Sequence, residues 1–496
     1  MTLEHAANAV YGLRPNINSE SCMSESSPVE PSASTVTERV RKLTGALEID
    51  RATLYALLLR VWQFSGGAVS AVLIASFFPR EVQGFYYTFA SLMALQAFFE
   101  LGFNIVVINV SSHEWSRLRL DDAGEIQGDA QALSRLVSIG RLIFGWYGVA
   151  SLLFVVGVGY GGALFLQQDP SGVPWRGSWM ALVGLTGILL WTLPFNALLE
   201  GCNQVANVNR LRLIQAVLAN VAIWSTVVIG GGLWAAVIAT GMRVVCDLYF
   251  LCVRYRHFFK PFRDKPRGAV VHWQSELWPL QWRLAAQAVA GYFAFSIFAP
   301  VMFHYHGAVM AGRMGMTWVV ISALQMGSMA WVQSRAPRFG VLVSRGEYQE
   351  LDRLFRRLAW ISLITITAGG GFIWLVVAMV YQLQLSFADR ILGPLPTFLF
   401  VIASVLFHIP HCQDLYIRAH KQDRMLVVNV LGSGGIGLAV WLLGQHYGPL
   451  GAAGGYLAIV ALVIFPGYQR IYWNCRRERL QSHLSSDGSS ADVPRV

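Results

Sequence analysis

Leu54-Tyr55-Ala56-Leu57-Leu58-Leu59-Arg60 opens the first long apolar stretch, and Leu277-Trp278-Pro279-Leu280-Gln281-Trp282-Arg283 opens another in the second half. Both read Leu-x-x-Leu-x-x-Arg, and each is followed by an amide, Gln63 or Gln287. An arginine inside a bilayer costs roughly 2.5–3.5 kcal/mol or more, so it normally faces an internal cavity and meets a partner there. The alternative is snorkelling, in which the long side chain carries its charge out to the interface. A matched pair points to a two-part transporter that holds something negative between its halves.

The chain has 496 residues, of which 55% are hydrophobic and 13% charged, with a mean hydropathy of +0.47. Soluble domains carry about a quarter charged residues. A polytopic membrane bundle is the reading. The first fifty residues are polar and lack the charged-then-apolar pattern of a secretory signal. Thr35 and Glu38 have capping-box spacing, ahead of a short helix near Val36–Leu47. Six cysteines show no C-x-x-C pair, which argues against a disulfide framework and a zinc site.

A spanning helix needs roughly 20 mainly apolar residues. Twelve stretches qualify, near 54–78, 86–110, 136–166, 178–200, 211–231, 233–254, 277–303, 308–334, 357–381, 392–413, 425–445 and 450–473. With the N-terminus inside, Lys and Arg gather on one face, from Arg39 and Arg117 through Arg254–Arg267 and Arg335–Arg357 to Arg470–Arg479. The opposite segments and their borders hold Arg80, Arg176, Arg313 and Arg390. This alternation sets both termini in the cytosol, and it accounts for the net charge of +10 without nucleic acid.

The expected fold is an all-α polytopic membrane protein with twelve transmembrane helices in two six-helix bundles. An even number of spans per half relates the bundles by a pseudo-two-fold axis along the membrane normal. The expected boundaries are a cytosolic tail 1–50, a first bundle 51–256, a linker 257–276, a second bundle 277–475 and a cytosolic tail 476–496. Ala94-Leu95-Gln96 and Ala323-Leu324-Gln325 repeat in spans two and eight, and Pro194 and Pro410 sit late in spans four and ten.

Guanidinium is a planar fork of donors suited to bidentate phosphate binding, so a pyrophosphate fits Arg60 and Arg283. Glu100, isolated in span two, reads as an ion-coupling carboxylate, a partner for Arg60, or an acid that locks helix packing. Arg243 and Asp247 lie four apart on one helix, where mutual neutralisation is the default and gating the sharper reading. Glu200, at the end of span four, reads as solvated. His408 and His411 without a third ligand make a poor metal site. Gly432-Ser433-Gly434-Gly435-Ile436-Gly437 matches a dinucleotide fingerprint but lies inside an apolar span, so it reads as close helix packing. No P-loop and no nucleophile constellation is present, which points away from an enzyme.

Pro79-Arg80-Glu81-Val82-Gln83-Gly84-Phe85-Tyr86, continuing to Phe99-Glu100-Leu101-Gly102-Phe103, resembles the opening of bacterial polysaccharide flippases. These belong to the multidrug/oligosaccharidyl-lipid/polysaccharide exporter superfamily. The resemblance implies a V-shaped pair of bundles in the bacterial inner membrane, alternating between inward- and outward-open forms. Its implied cargo is an undecaprenyl-pyrophosphate-linked oligosaccharide. Arg60 and Arg283 match the cationic lumen residues of such proteins, and Gln63, Gln96, Gln287 and Gln325 would meet sugar hydroxyls. Implied partners are membrane lipid, a polysaccharide polymerase and glycosyltransferases. No cofactor is expected, and coupling to a proton or sodium gradient stays open. The alternatives are a cation-coupled multidrug exporter, a major-facilitator porter and a non-transporting scaffold.

Overall fold

The computed structural model describes residues 51–420 and 424–489, with side chains through Glu478. The expected tail 1–50 and its short helix lie outside the described residues. In the first half the helices are α1 (Arg51–Phe77), α2 (Arg80–Met93), α3 (Phe103–Trp115), α4 (Ala130–Leu166), α5 (Arg176–Gly201), α6 (Val205–Val228) and α7 (Trp234–Tyr249). The second half has α8 (Trp278–Phe295), α9 (Phe298–Gln333), α10 (Ala336–Ser344), α11 (Tyr348–Gln382), α12 (Pro394–Ala419), α13 (Leu426–Ile459) and α14 (Phe465–Ser489). Strands β1 (Leu118–Leu120) and β2 (Ile126–Gly128) form a small hairpin between α3 and α4.

Among the described residues, nine helical runs are long and apolar enough to cross a membrane. Arg80–Glu100 with Phe103–Trp115, bent by 46°, makes a tenth. Two of the nine double back on themselves, at Gly307 (φ 79°) and Gly448 (φ 59°). In a straight helix, residues 439 and 455 would be about 24 Å apart. Instead, a Cβ placed on Gly455 would lie 3.1 Å from the Cβ of Ala439. The rings of Phe298 and Trp318, about 30 Å apart in a straight helix, have centroids 4.4 Å apart. Both runs are therefore helical hairpins, and the spans number twelve. The protein is a multi-pass all-α membrane protein of two six-helix bundles related by a pseudo-two-fold axis along the membrane normal.

Several local expectations meet their structure here. Span three begins earlier than its hydropathy suggests and runs unbroken over Ala130–Leu166, with Asp129 capping its start by accepting from the Ala132 N–H at 3.1 Å. Gly230 and Gly232 both take positive φ in the turn between α6 and α7. The Gly432–Gly437 run is a packing surface, since Cβ atoms there would meet Ile464, Ile459 and Phe293.

The bundles meet along α2 and α9. A Cβ on Gly84 would lie 1.9 Å from the carbonyl oxygen of Ala308, and one on Gly315 would strike the Tyr87 ring. Only glycine allows this approach. The helical run that α2 begins continues to Glu100 and breaks at Leu101 and Gly102, both left-handed (φ 50° and 68°). A Cβ on Gly102 would lie 2.6 Å from the Cβ of Leu284 on α8. The break therefore rests against the second bundle.

On the basic face the segment joining the bundles is strapped to α4. Ser134 Oγ accepts from the Gly268 N–H at 2.9 Å, and Arg141 Nη1 donates to the carbonyls of Arg263 and Asp264 at 2.9 and 3.1 Å. Arg135 bridges Glu114 at 2.7 Å and Glu276 at 2.5 Å. The His272 backbone N–H, aided by Arg135, holds the Glu276 carboxyl below its ordinary value. A lowered carboxyl pKa stabilises docking above the undocked value of 4.5, and the gain is lost as pH falls through the docked value. Amide-exchange protection across 268–277 is expected to hold from pH 7 to 5 and to fall below pH about 4.5. Glu276→Gln is expected to flatten that dependence. Protection independent of pH in the parent chain would contradict the strap.

Candidate functional site

A cavity of about 580 Å³ lies inside the first bundle, between α2, α5, α6 and α7 and the break after α2. Towards the face opposite the basic loops its wall is largely apolar, with Leu182, Ile223 and Ala236. Towards the basic face it carries Glu100, Asn104, Asn196, Arg212, Gln215, Arg243 and Asp247. The volume falls in the range of small-molecule sites.

Four of these groups are ionisable, and they are engaged to different degrees. Arg212 pairs with Glu200, which is 13% exposed at its side chain rather than solvated as its position suggests. Asp247 is 5% exposed and accepts three bonds, from Thr192 Oγ1 at 3.0 Å, Asn196 Nδ2 at 3.2 Å and Gln215 Nε2 at 2.7 Å. The i, i+4 spacing does not lead to an Arg243–Asp247 ion pair, because neutral donors from α5 and α6 reach the carboxylate instead. Arg243 and Glu100 make no side-chain hydrogen bond or ion pair among the described residues, although both line the cavity. They are the groups still available to a guest.

The residues singled out by the duplicated motif lie elsewhere. Arg60 crosses the seam between bundles and donates from Nη1 to Gln333 Oε1 at 2.7 Å. It does not pair with Glu100. Arg283 is exposed beside the Trp282 ring, at 5.6 Å from its centroid. Gln63 is exposed, and Gln287 accepts from Arg418 Nη2 at 3.5 Å. Gln325 is buried, with its Nε2 unpartnered. Only Gln96 of the four amides reaches the cavity wall. His408 Nε2 lies 2.7 Å from Ser362 Oγ.

Sequence reasoning placed Arg80, Arg313 and Arg390 on the opposite face but not the contacts that close it. Asp389, between α11 and α12, accepts from Arg80 Nη2 of the first bundle at 2.6 Å and from Arg313 Nη2 at 3.1 Å. Gln83 is buried and donates to the carbonyls of Gly312 and Arg390, each at 3.0 Å. Asp169 accepts from the Ala308 N–H at 2.9 Å, where α9 restarts after Gly307. Beneath them Ile74, Phe78, Tyr87 and Val227 of the first bundle close on Met316, Val377, Val380 and Ile391 of the second. Arg80, Arg313 and Arg390 stand out in the sequence only as arginines of this face, and nothing in a linear reading pairs them with Asp389 or Gln83.

No protein-family model and no curated protein sequence matches the chain. Solved structures do. A multidrug resistance MATE family transporter of the MOP superfamily, in an inward-facing conformation, aligns with TM-score 0.56 at 12% identity, covering 86% of this chain and 96% of that one. The lipid II flippase MurJ, inward closed, aligns with TM-score 0.55 at 11% identity, covering 90% and 93%. The MATE multidrug transporter DinF-BH aligns with TM-score 0.54 at 11% identity, covering 86% and 95%. The chain thus has the fold of the MOP superfamily transporters, and at these identities the likeness concerns the fold.

The closure of the opposite face has two unequal parts. Arg80 and Asp389 are 49% and 44% exposed at their side chains, where an ion pair contributes about 1 kcal/mol at most. Each large apolar side chain in the plug loses about 1.5–3 kcal/mol when water reaches it. In an Ile391→Cys background, Asp389→Asn is expected to raise labelling by a membrane-impermeant thiol reagent by about fivefold or less. Phe78→Ala is expected to raise it by more than about tenfold. A larger effect from the aspartate than from the phenylalanine would reverse this ranking.

Proposed function

We propose that the chain is a flippase that carries an undecaprenyl-pyrophosphate-linked oligosaccharide across the bacterial inner membrane by alternating access, for surface polysaccharide assembly. The observation that carries this reading is Arg243. Its guanidinium lines a cavity of headgroup size and has no hydrogen bond or ion pair among the described residues, while the nearest acid on its helix is already held by three donors. Five donors in a fixed fork suit a phosphate, and Arg212 on the same wall adds positive field. The sealed opposite face leaves the cavity side towards the basic loops as the side of loading. Those loops are cytosolic in this reading. Arg60 and Arg283, near the seam, are proposed as further contacts for the pyrophosphate, and the polyprenyl tail stays in lipid. An imposed proton or sodium gradient supplies direction, and polymerase and glycosyltransferases supply and remove cargo.

A second reading rests on Glu100, the other unengaged group of the wall. A carboxylate there suits a cationic guest or a coupling ion, as in a cation-coupled multidrug exporter.

The readings separate in a strain lacking the gene and complemented with variants present at equal membrane levels. Under the flippase reading Arg243→Ala reduces surface polymer by about tenfold or more, and Arg243→Lys retains part of it. Arg60→Ala and Arg283→Ala reduce it by smaller factors. Intact polymer with Arg243→Ala, together with drug sensitivity caused by Glu100→Gln, would overturn the flippase in favour of the exporter.

A further inference from the structure

Asp247 does more in this geometry than lower the local charge. Both of its oxygens only accept while it is ionised, and it is reached by the amide nitrogens of Asn196 and Gln215, on α5 and α6. A carboxylate admits one orientation of each amide, nitrogen towards it and oxygen away, so the usual ambiguity of amide flips is settled chemically. Gln215 Nε2 also reaches the carbonyl oxygen of Arg243 at 3.3 Å, which engages its second hydrogen. The oxygens are left over. Asn196 Oδ1 is buried and unpartnered, and Gln215, half-buried on the cavity wall, forms its side-chain bonds among the described residues through Nε2 alone. Both residues line the cavity beside Arg243.

We propose that Asp247 is a positioning residue that turns Asn196 and Gln215 so that their carbonyl oxygens accept from the hydroxyls of a sugar lying next to a phosphate held by Arg243. The inference rests on the flippase reading of this cavity and assigns its specificity. Acceptors and cation donors side by side match a headgroup that is anionic at one end and rich in O–H donors at the other. A hydrophobic cation satisfies neither amide oxygen, and the Asp247 carboxylate that would attract it is already surrounded by donors. The amides expected from sequence to serve sugar, Gln63, Gln287 and Gln325, are off this wall, so Asn196 and Gln215 take that role with Gln96.

Replacing the carboxylate by an amide removes the constraint without changing its shape. Asp247→Asn presents a nitrogen to the cluster, and the neighbouring amides can then turn donors into the cavity. Gln215→Met removes the acceptor while keeping length and volume. Thr192→Val removes a third donor to Asp247 that carries no amide oxygen, and serves as the control for a merely structural role.

The test is binding to the purified full chain in lipid nanodiscs, with farnesyl diphosphate and a farnesyl-diphosphate-linked hexose as probes. The parent chain is expected to bind the hexose-bearing probe about tenfold more tightly than the bare diphosphate, because unsatisfied acceptors discriminate against a ligand lacking donors. In Asp247→Asn and Gln215→Met the ratio is expected to fall to about twofold or less, with bare-diphosphate affinity not reduced in Gln215→Met and raised in Asp247→Asn, which takes a negative charge off the wall. Thr192→Val keeps the parent ratio, and Arg243→Ala weakens both probes. Equal binding of the two probes by the parent, or a ratio that survives in both variants, overturns the inference and leaves the flippase reading standing. Failure of the parent to bind either probe overturns both.

Discussion

The backbone of α2 pressed against that of α9 is the contact on which the remaining geometry depends. Gly84 and Gly312 face each other there, with a Cβ on Gly312 only 3.0 Å from the Gly84 nitrogen. Helices in lipid gain little from burying apolar surface against each other, so close van der Waals approach through small residues has to hold them. That approach sets the plug of Phe78 and Met316 in register, brings Arg80 within reach of Asp389, and fixes where α2 must break to follow the second bundle. A side chain at Gly84 would push the bundles apart by more than the ion pairs over them could restore, since exposed pairs contribute about 1 kcal/mol or less.

Charges inside the first bundle follow a related economy of partners. In low dielectric an ionised group needs either a partner or polar solvent, and among the described residues only some of these groups have a partner. Glu200 takes Arg212, and Asp247 takes three neutral donors, so each of these acids is held by the protein itself. Arg243 and Glu100 instead open onto the cavity. The division gives the wall a chemical grain: fixed acceptors where Asp247 turns its amides, a cation beside them, and an acid farther along at the break in α2.

The sequence was legible where the bilayer does the sorting. Apolar length and the alternation of Lys and Arg gave twelve spans, and the Gly432–Gly437 run was readable as packing because no strand precedes it. The site was less legible, for a physical reason. The Leu-x-x-Leu-x-x-Arg repeat reports internal symmetry, and symmetry suggests a site between the halves, whereas the cavity belongs to one half alone. Arg60 and Arg283 occupy matching sequence positions but different surroundings, one bonded to Gln333 across the seam and the other beside Trp282. Nor could spacing within α7 foretell that Asn196 and Gln215, from two other helices, would reach Asp247 before Arg243 did. Partners distant in sequence decide which charge is left over.

The break at Leu101 and Gly102 ties these features together. Glu100 and Asn104, on either side of it, belong to the cavity wall, while Gly102 between them rests on Leu284 of the second bundle. Leu101 in a left-handed conformation carries a strain of about 1–3 kcal/mol, which the surrounding packing must hold. Residues that line the cavity and a residue that touches the second bundle are therefore close neighbours in the chain. A guest shifts an equilibrium between two forms only by the difference in its affinity for them. Tyr86 and Ile223, which line the cavity and also pack against the plug, make a second link between cavity and seam. Cavity wall and seam thus share short stretches of the same chain.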